Sequence, residues 1–197
     1  MKDTGSYQPY SYFQLMEVSL RELLVEKGIV TEAQVAEEVG KMRQRSPAIG
    51  ARVVAKAWTD PAFKAKLIEN GSRACEELGV EVASLKLVVV ENTAAEHNMV
   101  VCTLCSCYPR MLLGIPPEWY KSRNYRSRAV REPRSVLSEF GLQLSEKTRI
   151  RVHDSTADMR YLVLPMRPAG TDGWSEARLA SIVTRDCMIG VAVPKPS

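Results

Sequence analysis

Apolar side chains recur at helical spacing through the first part of the chain and gather into short β-rich runs through the rest. Leu15, Val18, Leu20, Leu23, Leu24 and Val25 follow the helical period, and Gly28 supplies a stop. Thr31 with Gln34 forms a capping-box pattern ahead of Val35 and Val39. Asp60-Pro61 sets an N-cap before a proline at the first helical position, and Phe63, Leu67 and Ile68 carry that helix to Gly71. Past residue 84 come the β-rich runs 85–90, 99–101, 149–152 and 161–164, separated by turn clusters. Two helices interrupt them, at 133–140 (ended by Gly141) and at 175–184. The expected fold class is α+β, with a helical N-terminal arm over 1–84 and an α+β domain over 85–197. The arm has many apolar positions and little evident core of its own. It therefore either packs on the second domain or embraces a partner subunit.

Composition narrows the class. The chain has 197 residues, of which 45% are hydrophobic, enough for a real core. No stretch approaches the roughly 20 apolar residues of a membrane span, and residues 1–5 are polar without a signal-peptide pattern. No membrane association is expected, and a cytoplasmic location follows as the default. The formal charge is only +4, too weak to argue for nucleic acid. The basic stretch Lys121, Arg123, Arg126, Arg128, Arg131 and Arg134 lacks the aromatic interleaving of a stacking platform, Tyr120 and Tyr125 apart. It reads as a solvated or subunit-facing surface. Five cysteines, an odd number without the spacing of a secreted disulfide scaffold, favour reduced thiols or metal ligands.

Three of those five lie in Val101-Cys102-Thr103-Leu104-Cys105-Ser106-Cys107. Cys105 and Cys107 are too near in sequence for an easy mutual disulfide, which needs Cα atoms about 4.4–6.8 Å apart and converging Cβ vectors. A loop turning at 104–106 can instead aim all three sulfurs at one metal ion, with backbone amides between Cys105 and Cys107 in coordination range. The competing readings are a zinc site, an iron–sulfur cluster and a nest of inert buried thiols. Zinc wants four ligands in paired spacing, and Cys75, Cys187, His97 and His153 have no companion at that spacing. A cluster wants four cysteines in spaced runs, which C-x-C fits poorly. His97 and His153 lack a Ser or Cys nucleophile partner and read as structural.

Residues 100–109 resemble the metal-binding motif of the nitrile hydratase alpha-chain family, which includes the metal subunit of thiocyanate hydrolase. The resemblance extends through 49–61, Glu91-Asn92-Thr93, His97-Asn98, Pro116-Pro117-Glu118-Trp119-Tyr120-Lys121, Tyr125–Arg128, Arg131–Arg134, Arg160–Pro165, Arg167–Thr171 and Gly173–Ser175, roughly 15 to 192 in all. It implies a layered domain carrying a cysteine metal claw. Sulfur from Cys102, Cys105 and Cys107 and deprotonated amide nitrogen from Ser106 and Cys107 would make five ligands, with a sixth position open. Thr103, where iron-type members carry Ser, resembles the cobalt type, so one low-spin Co(III) per chain is expected rather than Fe(III). In mature members the equivalents of Cys105 and Cys107 are sulfinic and sulfenic acids, while Cys102 stays a thiolate. Such a metal acts as a Lewis acid on a nitrile or lowers the pKa of bound water, and the Cys107 sulfenate is a candidate nucleophile or base.

The resemblance also implies company. A beta-type subunit, or two shorter chains equivalent to it, would supply arginines to the oxidised cysteines and close the pocket, so this chain alone would not be a competent enzyme. A separate small helper would deliver cobalt. Arg160 matches a family arginine directed at the partner's active-site tyrosine, against the plain reading of a strand-end arginine. Two positions depart from the nitrile hydratase pattern. Arg110 stands where a tryptophan lines the substrate pocket, as in thiocyanate hydrolase, or else pairs with a partner's carboxylate. A glutamine of the iron type is replaced near Ala83. The expectation is a cobalt nitrile hydratase subunit that hydrates a nitrile to the amide, with Cys105, Cys107, Arg110 and Arg160 catalytic. A bulky or polar substrate such as a nucleoside nitrile would suit it. The alternatives are the metal subunit of a thiocyanate hydrolase and a non-catalytic metal-binding or redox-sensing subunit.

Overall fold

The computed structural model describes residues 10–82 and 85–196; Ala83 and Ser84, where the sequence pattern changes, lie outside the described residues. In chain order the elements are α1 (Tyr12–Glu26), α2 (Glu32–Gln44), α3 (Pro47–Thr59), α4 (Pro61–Glu69), α5 (Gly71–Glu77), β1 (Lys86–Glu91), β2 (Glu96–Val101), α6 (Arg110–Leu113), α7 (Glu118–Lys121), α8 (Arg123–Arg131), α9 (Pro133–Glu139), β3 (Arg149–Asp154), β4 (Met159–Leu164), α10 (Glu176–Ser181) and α11 (Arg185–Ile189). The chain separates into two compact units, residues 1–43 and 44–197.

The first unit is a helical hairpin. Ser11 caps α1, accepting from the Gln14 amide while the Gln14 side chain returns to the Ser11 amide. Thr31 and Gln34 repeat that reciprocal pair at the start of α2. Arg21 bridges the two helices, bonding Glu17 at 3.0 Å and Glu32 at 3.3 Å. Neither helix buries a residue fully. Tyr12, Phe13, Leu15, Met16 and Leu20 stand exposed, Phe13 at 79%.

The second unit holds the core. β1 pairs in parallel with β4, Lys86 opposite Met159 through Glu91 opposite Leu164, and β2 pairs in parallel with β3, Glu96 opposite Arg149 through Val101 opposite Asp154. Parallel pairs need cover on both faces, which is why Leu162–Leu164 and five of the six β2 residues are buried. Cover comes from α4 and α5 against β1, α11 against β4, α8 against β2 and α9 against β3.

The expected boundary after residue 84 does not match the division after Arg43. The reason is burial: α3 sinks Gly50, Ala51, Val53, Val54, Ala55 and Ala57, and Phe63, Leu67, Ala74 and Cys75 join the same cluster as the strands. The helix expected over 175–184 is shorter, because Thr184 caps a new helix, α11, by accepting from the Cys187 amide. Asn70 likewise ends α4 and caps α5 at Gly71.

A buried polar lattice ties the two sheets. Asn92 accepts from the Asn98 amide at 2.7 Å, and the Asn98 side chain donates to the Glu91 carbonyl at 2.8 Å. His97 Nε2 donates to the Gly190 carbonyl at 2.7 Å, which leaves Nδ1 to accept from Asn92 at 3.2 Å. His153 donates to Asn98 at 2.8 Å. Burial lowers both histidine pKa values, keeping the rings neutral. Both therefore serve as structure, as their isolation in the sequence suggested.

Gly190 sits where that lattice meets α11. Its φ is +88°, and a Cβ there would lie 2.0 Å from the Asn98 carbonyl oxygen. Gly190→Ala should destabilise the chain by at least about 2 kcal/mol, since left-handed strain alone costs about 1–3. Urea unfolding of the variant beside the parent measures this; an unshifted midpoint would contradict it.

Candidate metal centre

Strand β2 runs through the core and ends at Val101, so Cys102 emerges from buried backbone and is itself 0% exposed. The loop that follows cannot continue the sheet, and one backbone amide and several side chains take over its hydrogen bonds. The Tyr125 hydroxyl donates to the Val100 carbonyl at 2.7 Å, and the Ser155 amide donates to the Val101 carbonyl at 2.7 Å. The Asp154 carboxylate accepts from the Thr103 amide at 2.9 Å and from its hydroxyl at 2.5 Å. Arg126 donates to the Leu104 carbonyl at 3.0 Å, and the Tyr120 hydroxyl donates to the Cys107 carbonyl at 2.8 Å. Behind the loop, Tyr108, Trp119, Tyr120, Tyr125 and Phe140 pack edge to face, with Trp119 and Phe140 centroids 4.7 Å apart.

Those ties bring the three thiols together. Cys102 and Cys105 sulfurs are 3.5 Å apart, Cys105 and Cys107 sulfurs 3.2 Å, and all three lie within 4.8 Å of one another. A disulfide is about 2.0 Å long, so these are free cysteines. Among the described residues no fourth His, Cys, Asp or Glu joins the group. At a metal–sulfur distance of about 2.3 Å, neighbouring ligands sit ~3.3 Å apart at right angles and ~3.8 Å apart in a tetrahedron. The 3.2 Å separation matches the right angle and 3.5 Å falls between. Sulfur geometry and ligand count thus fit tetrahedral zinc poorly and suit an ion with a larger, right-angled coordination shell.

Proximity splits the acidities. Cys105, bonded by the Cys107 and then the Cys102 thiol, is pulled down to about 7. Cys107 is pushed up to about 12 by burial and then by Cys105, against the opposing charge of Arg160. The cluster therefore holds its first negative charge on Cys105, the exposed member.

A cavity of about 260 Å³ opens beside the sulfurs, lined in part by Cys105, Ser106, Cys107, Arg110 and Arg160. The structure thus gathers every site residue expected from the sequence, Cys102 lying just beneath. Arg160 is anchored on the carbonyls of Thr156 and Ala157, and its Nε is buried without a partner. The ties at Asp154, Tyr120, Tyr125 and Arg126 were not legible as site residues. Only the helical spacing of Tyr125 and Ala129 marks the inward face of α8, which turns Arg126 toward the loop.

The model of the nitrile hydratase alpha chain matches residues 11–192. This chain belongs to the nitrile hydratase alpha-chain family. It is 50% identical over 186 residues to a nitrile hydratase alpha subunit of a Rhodococcus species, covering 90% of each chain. It is 48% identical to the thiocyanate hydrolase gamma subunit of Thiobacillus thioparus, covering 99% of this chain and 85% of that one. With the cobalt-containing nitrile hydratase alpha subunit of Pseudonocardia thermophila the identity is 49%, over 90% and 88%. Among solved structures, a recombinant thiocyanate hydrolase with partially modified cobalt centres superposes with a TM-score of 0.91 at 47% identity, over 96% and 93% of the two chains. An Fe-type nitrile hydratase double mutant from Comamonas testosteroni Ni1 gives 0.87 at 44%, over 96% and 98%. The layered α+β fold with its cysteine cluster is thus the fold of this family.

Two measurements test this geometry. Asp154→Ala frees Thr103, and loss of such an outer contact typically costs about 10–100-fold in metal affinity; competitive chelation should show it, and undiminished retention would show the Thr103 tie to be idle. In the metal-free chain at pH 7.5, iodoacetamide should modify Cys105 before Cys107, with labelling suppressed as pH falls below about 7. Peptide mapping by mass reads the order, and prior labelling at Cys107 would contradict the assigned charge.

Proposed function

We propose that this chain is the metal-bearing catalytic subunit of a cobalt nitrile hydratase, adding water across a C≡N bond to give the primary amide. The observation that carries the reading is the trio of sulfurs 3.2 and 3.5 Å apart on one short loop. It occurs in a chain 49–50% identical to nitrile hydratase alpha subunits. Thr103 and the cobalt-containing relatives support one Co(III), low-spin, over Fe(III). When bound, that ion supplies Lewis-acid polarisation of the nitrile.

The chain's own residues do the rest. Cys102, Cys105 and Cys107 with the Ser106 and Cys107 amides would hold the ion, Cys105 as sulfinic and Cys107 as sulfenic acid. Tyr120 and Asp154 fix the loop at Cys107 and Thr103. Arg160 sets a positive charge against Cys107, and Arg110 stands in the wall of the cavity where substrate would enter. The exposed apolar face of α1 supports an arm that grips a beta-type partner or two shorter chains in its place. A transient cobalt-activator helper would load the site. Arg110 suits a polar or bulky nitrile, such as a nucleoside nitrile.

One observation favours a second reading, the metal subunit of a thiocyanate hydrolase: a cationic side chain, Arg110, lines the cavity of a chain 48% identical to such a subunit. A non-catalytic metal-binding or redox-sensing subunit is the reading from another class.

The test is co-expression with the neighbouring partner genes in cobalt-supplemented cells, followed by intact-complex mass spectrometry and turnover assays. The expected result is one cobalt per chain, three added oxygens (two on Cys105, one on Cys107) and amide formed from nitrile. Hydrolysis of thiocyanate without nitrile turnover would select the second reading. A loaded complex turning over neither would select the non-catalytic one, and zinc held through a fourth ligand would overturn the hydratase reading.

A further inference from the structure

The cavity beside the sulfurs has a third cationic wall. Arg45, which precedes α3, lines it together with Arg110 and Arg160, and none of its lining residues is an aspartate or glutamate. Among the described residues, neither the Arg45 nor the Arg110 guanidinium is in an ion pair. Most other arginines near the claw have work elsewhere: Arg126 bonds the loop, Arg128 pairs with Glu132 and Glu139, and Arg134 bonds Thr148.

Arg45 is also held in place. A Cβ on Gly114, whose φ is +70°, would lie 2.6 Å from the Arg45 carbonyl oxygen. Gly114 ends α6, the four-residue helix that begins at Arg110. One close backbone approach therefore fixes Arg45 against the element that presents Arg110, on opposite sequence flanks of a single cavity. Beyond the negative charge on the cysteines themselves, guanidinium groups assembled at such a mouth attract an incoming anion, and their forks are suited to bind one.

We propose that Arg45 is a specificity-determining residue of this pocket, acting with Arg110 to select a substrate that carries negative charge, whether thiocyanate itself or a nitrile with an anionic substituent. The inference rests on the hydration or hydrolysis reading of the same site and narrows its substrate class. Arg160, already turned to Cys107 and to backbone carbonyls, contributes less to the selection. Arg45 and Arg110 face the incoming molecule.

Thiocyanate and acetonitrile form a suitable probe pair, both linear with three heavy atoms and differing in charge. In the assembled complex, kcat/KM for each is compared across the parent, Arg45→Gln and Arg45→Lys. Loss of one charge-assisted contact should lower the preference for thiocyanate about tenfold in Arg45→Gln, mostly through KM, with Arg45→Lys recovering part of it. Calorimetric titration of thiocyanate into the complex as isolated, cold enough to halt turnover, reads the same step without chemistry. It should weaken about tenfold in Arg45→Gln and fall with added salt. A complex that binds thiocyanate in this Arg45-dependent way yet hydrates no nitrile, a nucleoside nitrile included, and hydrolyses no thiocyanate would refute the proposed function and leave the anion pocket standing. Equal losses for both probes, an unaltered ratio, or a variant that fails to assemble with its partner while Arg45→Lys does assemble but shows no preference would overturn the inference.

Discussion

Strand β2 leaves the core at Val101 with two buried carbonyls still to be satisfied, and the way they are satisfied shapes everything beyond. A buried backbone carbonyl without a partner costs about as much as a lost hydrogen bond. The Tyr125 hydroxyl and the Ser155 amide take Val100 and Val101. Both donors come from elements that must already be packed, α8 and the exit of β3. The loop therefore inherits its starting direction from the core, and Cys102 is set before any ion arrives. Asp154 then bends the chain at Thr103, and Tyr120 catches it again at Cys107.

This division of labour explains the polar lattice beneath the sheets. Asn92, His97, Asn98 and His153 are an expensive way to fill an interior, and an apolar set would pack as well. They fix the relation of β1 to β2, which share no ladder. Without that tie, the strand carrying the cysteines could shift relative to β4, which carries Arg160. The position of a charge opposite Cys107 is thus decided by side chains that never approach it.

Much of this was legible from the sequence. The four β-rich runs became β1 to β4, and Thr31 and Asp60 signalled helix starts because capping is local chemistry. The cysteine run announced its own convergence, since three sulfurs on six residues have few places to go. What was not legible depends on distance in the chain. Residues 44–82 read as arm because their helical period resembles that of α1, and only tertiary burial separates them. Helix α8 is obscured in the sequence by its arginines, because only Tyr125 and Ala129 carry the packing. Arg45 lies more than sixty positions from Arg110, and no local spacing could have paired them.

The helical hairpin at the N-terminus has a consequence for the cell. Its first helix displays Tyr12, Phe13, Leu15, Met16 and Leu20 to water, and among the described residues of its unit none covers them. Surface of this kind is adhesive, and in a crowded compartment it finds other exposed apolar surface, including further copies of itself. Synthesis in excess of whatever covers the hairpin would then produce aggregate or proteolytic substrate. Gene dosage and translation timing become selectable properties of such a chain, set by a few uncovered side chains far from any cysteine.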